Sequence, residues 1–330
     1  MRLIRWLTDG GDPAEVGGKA AALGALIRAG LPVPPGFCLT AAAYRQWVEM
    51  GRPEGLPPEV GAQLGTAVEE LLGSEPAAGF APVLAVRSSA TAEDAPTASF
   101  AGQLLTRLGV PPDQVAAAVL AIWRSAEGAG VRAYRSRLGP AEVGVAVLIQ
   151  PLVPAEASGV IFTADPISGD PDRLVVNAVW GLGEGVVGGL VTPDHWVVDK
   201  ASGRILEAQV ADKELMVVLD PSGGTRKVPA PPDRRGRPAF GPETLGELWR
   251  LARLVEQVRG APQDIEFAAA GEKIYLLQAR PITVRPAEGW VSEFDSETDP
   301  DTVWTAANIQ EVLPGLVTPL TWSAMQENLN

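Results

Sequence analysis

Chain-breaking residues dominate this sequence. Glycine (36) and proline (30) together make up a fifth of its 330 residues, so regular elements are cut short almost as soon as they start. The run from Val143 to Ile149 is among the longest apolar stretches, far below the roughly 18–20 residues that a membrane helix needs. This punctuation argues against a helical bundle and for many short elements joined by turns. Hydrophobic residues are still 46% of the chain and charged residues 20%, enough to build a core. At about 150 residues per domain the length gives two domains, with room for a fragment of a third.

The apolar spacing fills in the elements. Leu23, Leu26 and Ile27 repeat at helical intervals over Gly17 to Ala29, and Gly30 followed by Pro32, Pro34 and Pro35 ends that helix. Thr40 opens a second helix as its N-cap, and a third runs from about Val60 to Leu72. Val83 to Arg87 reads as a short buried strand, and FAGQLLTRL as another before an alanine-rich helix from Asp113. Strands follow over Val143–Val153, Gly159–Thr163 and Leu174–Trp180. His195–Asp199 and Arg204–Val210 form a hairpin. Residues 220–242, rich in Pro, Gly and Arg, read as a mobile excursion. A helix from Glu243 to about Arg259 precedes a last hairpin, Gln263–Ala269 with Lys273–Ala279. Past Pro286 an acidic, polar stretch reads as a linker that leads into a new helix-like segment. Helices mixed with antiparallel strands in two lobes make the fold class α+β, not an alternating βαβ array.

The net charge of −13 argues against a nucleic-acid surface, which needs clustered cations, but leaves room for a local basic pocket. One cysteine, Cys38, and one histidine, His195, exclude an internal disulfide and a Cys/His metal centre. Charge at Arg5 and Asp9 interrupts the N-terminus before a signal-peptide core can form. A soluble, cytoplasmic protein without a membrane partner is the expectation.

Only five lysines accompany twenty-two arginines, so Lys19 in GGKAAALGAL stands out. Gly17 and Gly18 would let backbone N–H groups approach an anion at a helix N-terminus, with Lys19 in the same turn; an ordinary solvent-facing lysine is the alternative. The stretch is not a Walker A loop, because Pro13 and Ala20 stand where that motif needs Gly and Ser or Thr. Arg87 ends an apolar strand beside Ser88, Ser89 and Thr91, a rigidly aimed fork suited to phosphate, or else a partner for Glu93 or Asp94. In the last hairpin Asp264, Glu266, Gln278 and Arg280 share even parity, so within each strand they share a face. An odd number of loop residues would bring the two faces together into a patch that suits Mg²⁺; an outward polar face is the other reading. Ile274 and Leu276, of the same parity, suggest that this face is at least half buried. The glycine-rich GLGEGVVGG lacks the GxGxxG spacing and is either a loop over phosphates or a plain turn. His195 reads as structural.

Taken together and in this order, GGKAAALGALIRAGLPVPPGF, AVRSSATAEDAPTASFAGQ, SGVIFTADPISG, WGLGEGVV, TPD, DIEF and LLQARPIT resemble the ATP-binding domain of the pyruvate phosphate dikinase/phosphoenolpyruvate synthase family, which has an ATP-grasp fold. The resemblance covers roughly residues 10–285. Within the family the chain is most similar to rifampin phosphotransferase, and WTAANIQEVLPGLVTPLTWS resembles the start of that enzyme's antibiotic-binding domain. The resemblance implies a first lobe over residues 1–155, a second over 156–285, and a linker with the start of a substrate-binding domain over 286–330, with ATP and Mg²⁺ in the cleft between the lobes. It implies that Lys19 and Arg87 contact the ATP phosphates, with Gly102 and Thr106 in the phosphate loop. Gln150 would meet the adenine, Glu266 and Gln278 would hold Mg²⁺, and Arg280 would steady the phosphates. In the family the β-phosphoryl group passes to a histidine on a separate swivelling domain and then to an acceptor: a rifamycin hydroxyl, pyruvate or phosphate. That domain and a complete acceptor-binding domain are expected outside this chain, as partners in a longer polypeptide or as separate chains. A phosphoenolpyruvate synthase and a non-catalytic nucleotide-binding module are the alternatives.

Overall fold

The computed structural model describes residues 2–74, 80–90, 94–95, 98–99, 105–127 and 144–282. In chain order these form β1 (Ile4–Trp6), α1 (Pro13–Arg28), β2 (Phe37–Leu39), α2 (Ala41–Glu49), α3 (Pro58–Gly73) and β3 (Leu84–Ala90). A minimal hairpin, β4 (Asp94–Ala95) with β5 (Ala98–Ser99), leads to β6 (Thr106–Val110), α4 (Val115–Ser125) and β7 (Val145–Pro151). Next come β8 (Ala157–Phe162), β9 (Arg173–Trp180), β10 (Asp194–Asp199), β11 (Ile205–Gln209), β12 (Leu215–Leu219) and β13 (Thr225–Pro229). The last described elements are α5 (Pro242–Arg259), β14 (Gln263–Ala270) and β15 (Lys273–Pro281). The fold is α+β. None of the helices among the described residues is long and apolar enough to cross a membrane.

Two antiparallel sheets carry the molecule, one ordered β1-β2-β7-β3-β6 and the other β11-β10-β9-β8-β14-β15. Side chains alternate across a strand, and β7 shows what that does here. Val145, Val147 and Ile149 pack into a core with Trp47, Leu64, Leu71 and Trp123 of α2, α3 and α4. Ala146 and Leu148 face the other way, into a core with Leu23 and Leu26 of α1. A strand covered on both faces reads as a continuous apolar run rather than an alternating one, which accounts for the long stretch seen in the sequence. The second core continues through α1 to Leu248 and Val255 of α5 and to Ile265, Phe267, Ile274 and Leu276 of the second sheet. Helix α1 is therefore shared between the sheets.

Its ends follow from sequence. Asp12 Oδ1 accepts from Ala14 N at 2.8 Å and Pro13 takes the first helical position, both favoured there. Gly30, at φ +76°, closes the C-terminus with Gly30 N donating to Ile27 O at 2.9 Å and Leu31 N to Leu26 O at 3.0 Å, a Schellman arrangement. Thr40 stands at the N-cap of α2, but its hydroxyl donates to Arg2 O at 2.8 Å and does not cap the helix. Cys38 is buried with its thiol donating to Val16 O at 3.3 Å, and burial pushes its pKa far above the ordinary thiol range.

Residues 220–242 are more ordered than their composition suggests. Thr225–Pro229 pairs with Leu215–Leu219, and Pro232–Arg235 forms one helical turn. This β12–β13 hairpin touches both sheets: Gly224 N donates to Gly109 O of β6 at 2.9 Å, and Leu182 N, just after β9, donates to Val217 O at 2.8 Å.

Candidate functional site

Between the sheets lies a cavity of about 540 Å³, within the range typical of small-molecule sites. One wall is apolar, with Ala85, Leu152, Leu182 and Val217 forming a cluster to which Leu108 and Ala155 add. Gln150, Pro34, Arg87 and Glu266 also line it.

Strand register places these groups. Arg87 pairs with Thr106 of β6, and Ala85, two residues earlier on the same face, pairs with Gln150 of β7. At ~3.3 Å per residue, Gln150 and Arg87 therefore lie roughly 7 Å apart along the strand direction. Gln150 is buried and its Nε2 donates to Pro34 O at 2.9 Å. A proline carbonyl only accepts, so the amide orientation is chemically fixed.

Arg87 reaches from the first sheet to the second. Its Nη2 donates to Glu266 Oε2 at 2.7 Å and to Gln278 Oε1 at 3.1 Å, and its Nη1 donates to Leu277 O at 2.5 Å. The hairpin geometry behind this differs from simple alternation. The β14–β15 turn holds two residues, Gly271 and Glu272, between the pair Ala270 and Lys273, an even number that would separate the two even-numbered faces. A bulge corrects it: Glu266 pairs with Gln278 while Phe267 pairs with Leu276, which leaves Leu277 as the extra residue. Beyond the bulge Asp264, Glu266, Gln278 and Arg280 share one face, as the parity argument required. That face is largely buried, as expected, but not through Ile274 and Leu276, which lie before the bulge and turn into the α1 core. The bulge also aims the Leu277 carbonyl at Arg87.

The other expected residues are placed as follows. Lys19 is buried and its Nζ donates to Ser88 O at 3.1 Å, next to Arg87 in the chain but outside the cavity lining. The solvent-facing alternative for Lys19 does not hold. Arg280 also lies outside the lining; its Nε donates to Asp264 Oδ2 at 2.8 Å. Thr106 lines the cavity. Gly102 lies outside the described residues, as do Glu93 and the side chain of Asp94.

Gly17 does a different job from the one its motif suggests. It sits at φ +78° inside α1, at a kink, and a Cβ there would lie 2.0 Å from Ser89 O. Just beyond it, Ala20 N donates to Ser89 Oγ at 3.1 Å, so this N-terminus is capped by a hydroxyl of β3. Gly17 thus permits the close approach that brings Lys19 to Ser88. Gly17→Ala combines a backbone conformation nearly reserved for glycine, about 1–3 kcal/mol, with a clash against main chain. The expected loss is at least ~2 kcal/mol in urea unfolding, and a loss below ~0.5 kcal/mol would contradict the close approach.

Sequence reasoning missed Glu184. It lies in the glycine-rich segment, lines the cavity, and its Oε2 accepts from Thr225 Oγ1 of the β12–β13 hairpin at 2.6 Å. Leu182, Gly183 and Gly188 line it too, and Glu184–Val187 forms one helical turn. His195 Nδ1 lies 2.9 Å from Asn177 Oδ1 in the second sheet, in keeping with a structural role.

A divalent cation fits the donor set here. Glu266 and Gln278 offer oxygens that converge on one point, marked by the Arg87 Nη2 nitrogen that both contact. Mg²⁺ takes one or two protein oxygens plus substrate phosphates. No group of three or more His, Cys, Asp and Glu side chains suited to an all-protein metal cage occurs among the described residues.

Comparison with known proteins shows the family. The family model described as pyruvate phosphate dikinase, AMP/ATP-binding domain, matches residues 13–54 and 52–298. The chain is 41% identical over 335 residues to the prodigiosin synthesizing transferase PigC of Serratia marcescens, covering 96% of this chain and 37% of that protein. It is 37% identical over 318 residues to a probable phosphoenolpyruvate synthase of Methanocaldococcus jannaschii, covering 86% and 27%. It is 36% identical over 353 residues to the phosphoenolpyruvate synthase of Aeropyrum pernix, covering 86% and 42%. The chain thus spans between a quarter and a half of the length of these relatives. With the model matched over most of its length, the chain belongs to the pyruvate phosphate dikinase AMP/ATP-binding domain family.

Proposed function

We propose that this chain is the ATP-binding part of a dikinase-type phosphotransferase with an ATP-grasp architecture, its nucleotide held between a first lobe over residues 1–155 and a second over 156–285. The observation that carries the reading is the meeting of Arg87, Glu266 and Gln278 from two sheets at an otherwise largely apolar cavity that Gln150 also lines. An apolar slot suits a purine, and a rigid guanidinium with converging oxygens suits metal-bound phosphates. In this reading Gln150 meets the adenine, Arg87, Lys19 and Arg280 meet the phosphates with Gly102 and Thr106 beside them, and Glu266 and Gln278 hold Mg²⁺. When bound, Mg²⁺ neutralises phosphate charge and polarises the group being transferred. The side chains of this chain position the phosphates and offset their charge, which is most of what phosphoryl transfer asks of a protein.

The β-phosphoryl group then passes to a histidine on a swivelling domain, and AMP and phosphate are the by-products. The acceptor has two readings. The similarity of residues 304–323 to the start of an antibiotic-binding domain supports a rifamycin hydroxyl; the relatives named phosphoenolpyruvate synthase support pyruvate. The whole protein containing this chain, incubated with ATP and Mg²⁺ and either rifampicin or pyruvate, should form AMP in step with one of them. ADP as the nucleotide product would contradict the dikinase reading.

A further inference from the structure

Arg87 Nη2 contacts Glu266 Oε2 at 2.7 Å and Gln278 Oε1 at 3.1 Å, two of the oxygens that this site offers to a divalent cation. A guanidinium seated on these oxygens opposes a divalent cation brought to the same place, because their charges repel in a half-buried site that screens little. Arg87 is moreover held by a third acceptor, the Leu277 carbonyl exposed by the β15 bulge, at 2.5 Å from Nη1. Its guanidinium is therefore seated by one carboxylate and two neutral oxygens, an arrangement that a phosphate can outbid with two parallel charge-assisted bonds.

We infer that Arg87 acts as an internal competitor of the metal, so that the Glu266–Gln278 site accepts a divalent cation only when a polyphosphate draws the guanidinium away. The inference rests on the nucleotide-site reading above and adds an order to it: metal and phosphate enter together, and metal alone is refused. Linkage makes the effect reciprocal, since whatever raises metal affinity by releasing Arg87 is strengthened by the metal to the same degree. The device also keeps Glu266 neutralised while it lies between the sheets, with side-chain exposures of 10% for Arg87 and 24% for Glu266.

The test is a titration with Mn²⁺ alone, followed by electron paramagnetic resonance, on the wild-type chain, Arg87→Met and Arg87→Met/Glu266→Gln. Circular dichroism melts establish that each is folded. Arg87→Met should bind one Mn²⁺ at least tenfold more tightly than wild type without nucleotide, and the added Glu266→Gln should abolish that gain. Arg87→Lys, which keeps a cation but loses the fork, should fall between and serves if the methionine variant does not fold. Equal Mn²⁺ affinity in wild type and the Arg87 variants overturns the inference, as does a gain that persists without Glu266. A separate titration of the wild type with an ATP analogue and Mg²⁺ distinguishes failure here from failure of the nucleotide site itself.

Discussion

Lys213→Met is expected to lower the free energy of unfolding by about 3–5 kcal/mol, the usual cost of removing one partner of a buried ion pair. Lys213 and Asp194 are both fully buried, and Nζ lies 2.5 Å from Oδ1. Further hydrogen bonds fix the pair: Nζ also donates to Ala211 O at 2.9 Å, and Asp194 accepts from Ala211 N at 2.9 Å and from Ala239 N at 2.7 Å. Asp194 thus ties both ends of the segment from Ala211 to Ala239, which carries the β12–β13 hairpin, to β10. Methionine fills the lysine's volume but leaves a buried carboxylate with no counter-charge. The double variant Lys213→Met/Asp194→Leu should recover part of the loss, because it removes the stranded charge along with its partner. Urea unfolding measures both; a single-variant loss under ~1 kcal/mol would contradict the role given to the pair.

The second large effect is on ligand binding. Arg87→Ala should weaken binding of an ATP analogue with Mg²⁺ by roughly 30-fold or more, the equivalent of at least ~2 kcal/mol for a truncated charge-assisted contact. The sign separates this from general damage. Loss of Arg87 should reduce affinity for the metal–nucleotide complex while increasing affinity for metal alone, whereas a loosened fold would lower both. An unchanged dissociation constant for the analogue would remove Arg87 from the phosphate site.

How much of this could be read from the sequence varies element by element. The Gly30 stop of α1 and the apolar run of β7 are local signals, and they appear where expected. The grouping of Glu266 with Gln278 could also be read, although for an incomplete reason: period-two alternation put them on one face only if the turn were odd, and the odd residue proved to be Leu277 in a bulge. Bulges leave little trace in sequence, which is why Ile274 and Leu276 were assigned to the wrong face. The β13 strand was hidden because Thr225–Pro229 is largely exposed and contains Arg226 and Lys227; contacts with β12 and Gly109 stabilise it rather than its own composition. Long-range pairing was illegible altogether. Arg87 and Glu266 are 179 residues apart, and nothing near Lys213 in ADKELM marks it as the partner of Asp194. Glu184 carries no local signal either, since a lone carboxylate among glycines has no spacing that marks a site.

In the proposed reading the cavity between the two sheets holds a nucleotide with its phosphates at Arg87 and its metal at Glu266 and Gln278. Calorimetric titration with a non-hydrolysable ATP analogue, with and without Mg²⁺, on wild type and Glu266→Ala tests it most directly. Binding should be one-to-one, strengthened by Mg²⁺ in wild type and unaffected by it in Glu266→Ala; no binding in wild type, or an equal benefit from Mg²⁺ in both, would overturn this reading.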